Sequence, residues 1–231
     1  MRIHQSLLFV ALLPCLSSGS IFNRRRQSVN NVIHFRQDGR QKPGDRQTGM
    51  QSDKPDFCNK LDCPEFTVIK NEKTYQLREY VATKWVSTNS VGISFDAAQY
   101  TDFERLFQYI SGKNAKGQKI AMTAPVIDRI IPGPGPACES NFTMSFFVSP
   151  KEGQPPQPTD KTVFLSSMPK MRVYVRSFGG FASEKKWIEE AAALADALGS
   201  AAYVKDYYYT AGYNSPFQLT NRHNEIWFLA Q

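Results

Sequence analysis

The sequence predicts an α+β domain: a distorted, mostly antiparallel β-barrel of two pseudo-twofold-related repeats, each strand-strand-helix-strand-strand, with two main helices. Three observations predict it. Two segments carry apolar residues at helical spacing, short β-rich runs flank each segment on both sides, and this order occurs twice along the chain. Two such units, each with one apolar helix face and half-buried strands, complete a single core when they pair.

In chain order, residues 75–80 and 84–91 read as strands, the second with Trp85, Val86 and Val91 among Ser and Thr. Phe103, Leu106, Phe107 and Ile110 fall at i, i+3, i+4 and i+7 before Gly112, which predicts an amphipathic helix over 96–111. Strands are expected at 119–127 and 142–149, separated by the PGPGP run at 132–136, which cannot continue a ladder. The second half repeats the order, with strand-like runs at 163–165 and 171–178. Ser183 is placed to cap a helix whose Trp187, Ile188, Ala191, Leu194, Ala195 and Leu198 form one apolar stripe ended by Gly199. Strands at 205–211 and 225–229 close the series.

Residues 1–20 have the form of a secretory signal peptide: Arg2, an apolar run at 7–13, then Ser17, Ser18, Gly19 and Ser20. That run is far shorter than the ~20 residues of a bilayer-spanning helix, and no later segment reads as one, so a soluble, secreted protein is expected. Residues 21–55 are polar and without period, a disordered basic arm in which Arg24, Arg25 and Arg26 stand together. The folded domain is expected over 56–231, its pattern clear from Cys63. Residues 21–50 hold seven Arg or Lys against Asp38 and Asp45, whereas residues 51–231 hold 20 bases and 19 acids. The folding part is therefore nearly neutral, which argues against a nucleic-acid-binding core.

Export makes a disulfide the expected state of the thiols. With Cys15 in the signal, Cys58, Cys63 and Cys138 remain, which allows one internal bridge among three pairings and leaves one thiol over. Asn141-Phe142-Thr143 is the only glycosylation sequon, and an exported chain is expected to expose Asn141.

Chemistry of a catalytic kind is hard to find. His223 is the sole histidine of the folding region, in a polar turn, and no HExxH, GxSxG, GxGxxG or Walker sequence occurs. No catalytic residue and no metal site are expected, and the chain is not read as an enzyme. Flat and flexible apolar side chains are abundant instead: Met122, Met144, Phe146, Phe147, Tyr207, Tyr208, Tyr209, Tyr213, Phe217 and Trp227. Most belong to an ordinary core, but a concave sheet lined with such groups can also bury a planar hydrophobic ligand.

Specific runs go further. KIAMTAPV at 119–126, YYTAGYNSP at 208–216 and NRHNEIW at 221–227 resemble the hallmark segments of the SOUL haem-binding-protein family, and YVATKWVST at 80–88 and FGGF at 178–181 extend the similarity. It covers about residues 63–231 and is nearest to the haem-binding protein 2-like members. The resemblance implies a SOUL-type domain that binds haem or a related tetrapyrrole without catalysis. In some members a His just before the counterpart of Tyr80 has been proposed as an axial ligand. Here that position is Glu79, a poor substitute for imidazole on haem iron. The resemblance also points to an apolar surface near the first helix and the KxxMT segment, here Phe107, Ile110, Ile120 and Met122, with Lys113, Lys116 and Lys119 toward the propionates. The alternative is an extracellular protein-interaction or signalling module with a protein partner and a vestigial tetrapyrrole site.

Overall fold

The computed structural model describes residues 54–135 and 137–231. The expected signal peptide, and the expected basic arm up to residue 53, lie outside the described residues. Nine strands and two helices follow: β1 (Phe66–Asn71), β2 (Gln76–Tyr80), β3 (Thr83–Gly92), α1 (Phe95–Ile110), β4 (Val126–Ile131), β5 (Ser140–Val148), β6 (Val163–Met168), β7 (Met171–Phe178), α2 (Glu184–Leu198), β8 (Tyr208–Gly212) and β9 (Asn224–Leu229).

All strand pairs are antiparallel and form one sheet in the order β1-β2-β7-β9-β8-β4-β5-β3-β6. Exchanging β2–β5 for β6–β9 turns the order of these eight strands into its own reverse, a symmetry of connectivity. The sheet curls into a half-barrel and does not close, since β1 and β6 remain its two edges.

Both helices begin at a serine cap, of which the sequence predicts Ser183. The Ser94 hydroxyl accepts from the Ala97 N–H at α1, and Ser183 accepts from Lys186 N–H at α2, each at 3.3 Å. Helix α1 lies on β3 and β5, and α2 on β7 and β9. Beneath α1, Leu106, Tyr109 and Ile110 pack on Val86, Met144 and Phe146. Beneath α2, Trp187, Ala191, Leu194 and Leu198 pack on Ile226 and Phe228. On the other face of the sheet, Tyr80, Trp85, Phe147, Tyr209, Tyr213 and Trp227 meet one another.

Four expectations are corrected. The strand predicted over 119–127 starts only at Val126, because Pro125 has no N–H for a ladder, and residues 119–125 form an irregular connection with one bridge residue, Thr123. The strand predicted over 205–211 is displaced to Tyr208–Gly212. Strand β1 was not anticipated; it is an outer edge with Val68 and Ile69 exposed and a bulge between Val68 and Lys70, so it shows no inside-outside alternation. Asn141 is half-buried inside β5, paired with Val91 of β3 and Ile131 of β4, rather than exposed.

Candidate functional site

The turn after α1 sets the site. Asn114, buried, donates through Nδ2 to the carbonyls of Tyr109 (3.0 Å) and Gln118 (2.7 Å), and its Oδ1 accepts from the N–H groups of Lys116 and Gln118. One side chain thereby ties the helix end to the chain leaving the turn. Gly112 and Gly117 supply the positive φ values of 113° and 62° that the reversal requires. Ile120 N–H then donates to the Ile110 carbonyl at 2.8 Å, fastening the irregular segment against the last turn of α1.

Between these two walls lies an open groove of about 350 Å³ lined by Phe107, Ile110, Ser111, Lys119, Ile120 and Met122. Ile110 and Ile120 make its buried floor, while Phe107 is 45% exposed at its rim. The Phe107 ring stacks on Phe103, with centroids 5.8 Å apart and planes 14° from parallel, so its orientation is set from below. The groove offers ring, branched aliphatic and thioether surface with a single ammonium group, Lys119. Such a lining suits a flat apolar molecule that carries an anionic edge.

The residues expected from the sequence divide by place. Phe107, Ile110, Ile120, Met122 and Lys119 come together in the groove. Lys113 instead lines a neighbouring polar cleft of about 270 Å³ with Arg105, Gln108, Thr159 and Asp160, and its Nζ donates to Gln108. Lys116 is exposed in the turn and lines neither.

The concave side of the sheet is not an open recess. Its aromatic residues are buried against one another, and a polar cluster missed in the sequence sits among them. Glu225, with no exposed surface, accepts from Arg78 Nη1 (2.9 Å), Tyr213 OH (2.9 Å) and Trp227 Nε1 (2.7 Å), and His223 Nε2 lies 2.7 Å away. Burial pushes this carboxyl up, but His223, Arg78 and Trp227 together hold it down at about 2. Burial and the Glu225 charge raise the Tyr213 phenol well above its ordinary value. The only local signal was a glutamate in an apolar strand; its partner Arg78 is 147 positions away.

His223, the only histidine among the described residues, is thus engaged by Glu225 and stacked face to face on Phe57 at 4.2 Å. Glu79 is engaged as well, accepting from Lys170 Nζ (2.6 Å) and Arg172 Nε (2.9 Å), which hold its carboxyl below the usual range. It lies on β2, six places along the sheet from β3 and five from β5, the strands under α1. Among the described residues no group of three or more His, Cys, Asp or Glu is arranged to hold a metal ion. No helix of these residues is long and apolar enough to cross a membrane. Of the three cysteine pairings left open, Cys58–Cys63 is the one formed.

Known proteins share this framework. The family profile described as "SOUL heme-binding protein" matches residues 61–229. Human Heme-binding protein 2 is 45% identical over 159 residues, covering 68% of this chain and 78% of that protein. Heme-binding protein 1 of Xenopus laevis is 34% identical over 167 residues, covering 70% and 88%. Among solved structures, the EcmrR C-terminal domain superposes with a TM-score of 0.52 at 10% identity, covering 68% of this chain and 96% of that one, a likeness of fold alone. On its profile match and these identities, the chain belongs to the SOUL heme-binding protein family.

Proposed function

We propose that this protein is a secreted, non-enzymatic binder of haem or a related tetrapyrrole, taken up in the groove between α1 and residues 119–122. The observation that carries the reading is the groove itself: an open apolar trough with a fixed ring at its rim and one ammonium group, in a chain whose relatives are named for binding heme. About 350 Å³ is near the small end of ligand pockets. The macrocycle would therefore lie partly outside, one face or edge against Phe107, Ile110, Ile120 and Met122, with a propionate near Lys119.

The donors in the groove say what kind of binder this is. It has no imidazole, and Met122 supplies its only sulfur. A bound haem would bring its own iron chemistry, while the protein supplies apolar contact and a counter-charge for the propionate. The disulfide in the described residues accords with an oxidising, extracellular location.

Titration of the purified full chain with haemin and with iron-free protoporphyrin tests the reading. We predict saturable binding of both near one to one, with dissociation constants within about threefold of each other. Met122→Ala should weaken both by roughly five- to thirtyfold, the loss of one buried thioether side chain's contacts. Absence of saturable binding of either ligand would refute the reading. A histidine-type Soret shift abolished by His223→Ala would refute the absence of imidazole ligation.

A further inference from the structure

We propose that the Cys58–Cys63 bridge is a redox latch on the groove: closed, it holds the wall that carries Met122, and its reduction by a thiol loosens that wall and releases the ligand. This rests on the tetrapyrrole reading above and names how the same site would be regulated.

The bridge closes a tight loop. Asn59 and Lys60 both take left-handed backbone conformations, with φ values of 53° and 67°, and the Asn59 side chain donates back to the Phe57 carbonyl at 2.9 Å. Left-handed conformations are unfavourable for residues with a Cβ, and two in succession persist where the ends of the loop are held together. The closed loop grips the domain on two sides. On one, Phe57 stacks on His223 and meets Tyr213 edge-on at 4.9 Å, while Asn59 donates to the Tyr213 carbonyl. On the other, Asp62 pairs with Thr123 as an isolated parallel bridge, and its carbonyl accepts from Ala124 N–H at 2.9 Å. The Asp62 carboxylate accepts from Ser149 Oγ (2.8 Å) and Lys151 Nζ (2.9 Å), contacts that keep it ionised below the usual carboxylate range.

Thr123 and Ala124 directly follow Met122. Residues 119–122 belong to no strand, so no ladder fixes them. Their ties are the Ile120 bond to Ile110, a long 3.5 Å contact from Ala121 N–H to Glu152 and, just beyond, the Asp62 pairing and the Thr123 hydroxyl, which donates to the Phe147 carbonyl at 2.7 Å. Without the Asp62 pairing, the Met122 end of the wall keeps only the Thr123 side-chain bond before Val126, and no backbone–backbone bond. Groove and bridge are therefore mechanically continuous, although no cysteine lines the groove.

The chemistry is thiol–disulfide exchange. A thiolate of the reductant attacks the sulfur of Cys63, the partly exposed residue of the pair, since Cys58 is fully buried. The S–S bond breaks and Cys58 leaves as a thiolate that takes up a proton. A second reductant thiolate attacks the mixed disulfide and frees Cys63, which is also protonated. The bridge gains two electrons and two protons, and two reductant thiols become one disulfide. A carrier so built holds its cargo in oxidising surroundings and gives it up in reducing ones.

The test compares three samples of the full chain: oxidised wild type, wild type in excess dithiothreitol, and the Cys58→Ser/Cys63→Ser double variant, which opens this bridge while leaving Cys138 unchanged. Each is titrated with protoporphyrin, and hydrogen exchange at the Ala124 amide is followed without ligand. The expected result is binding at least about fivefold weaker in both opened samples, with Ala124 exchange faster by about tenfold or more. If the oxidised protein binds and the opened forms bind equally well, the latch is overturned while the carrier reading stands. If the oxidised protein does not bind, both fall. Should the double variant fail to fold, the reduced wild type decides by the same two readouts.

Discussion

Glu225 lies without exposed surface near the start of β9, and a carboxylate taken out of water is costly unless donors replace its hydration. Arg78, Tyr213, Trp227 and His223 do so, and the pairing has a definite pH signature. The folded-state value of about 2 lies below the ordinary 4.5, so the stabilisation is complete above about 4.5 and is lost as pH falls toward 2. Glu225→Gln strands the buried Arg78 guanidinium and is predicted to cost about 3–5 kcal/mol at pH 7. Urea unfolding at pH 7 and pH 3 checks this; the gap from wild type should narrow at the lower pH, and an unchanged gap would contradict it. Asp128 runs the other way. Buried under α1, with Asp102 adding like charge, its carboxyl is pushed up to about 7. The native state then binds a proton that the unfolded chain has released, so this residue's contribution falls as pH rises from about 4 through 7. We predict that Asp128→Asn raises the melting temperature relative to wild type at pH 8 and has little effect at pH 4. An equal offset at both values would count against it.

At the scale of elements, α1 and the turn behind it present the groove, and Asn114 joins them with four hydrogen bonds. Asn114→Ala is predicted to destabilise the fold by about 1–3 kcal/mol. It should also weaken protoporphyrin binding as much as Lys119→Ala does, because it releases the segment that carries Lys119. Chemical denaturation and titration of both variants check the pair of effects; a variant that loses stability but binds like wild type would detach the turn from the site. The helices were legible because a cap and a 3.6-residue period are local signals: Ser183 and the two apolar stripes suffice. Residues 119–125 were misread as part of a strand, whereas the missing N–H of Pro125 sets where the ladder begins. Strand β1 left little trace because an exposed edge has no inside to alternate with.

Across the whole molecule, the half-barrel separates two apolar regions that composition alone could not tell apart. The concave face is filled by its own rings, with Tyr80 and Trp227 at 4.8 Å and Trp85 and Phe147 at 5.6 Å between centroids, so it serves as core. The open surface lies on the opposite side, where α1 overhangs an irregular segment. The sequence held the groove residues through the KxxMT run and the helix before it, but not the fate of Lys113, which the helix end turns toward a different cleft. The most direct test of the account is where the macrocycle sits. With methyl-labelled Ile and Met, one equivalent of iron-free protoporphyrin is predicted to produce ring-current shifts at Met122, Ile110 and Ile120 while leaving Ile127, in the concave cluster, in place. Shifts centred on Ile127 and the concave side, with the groove methyls unmoved, would contradict it.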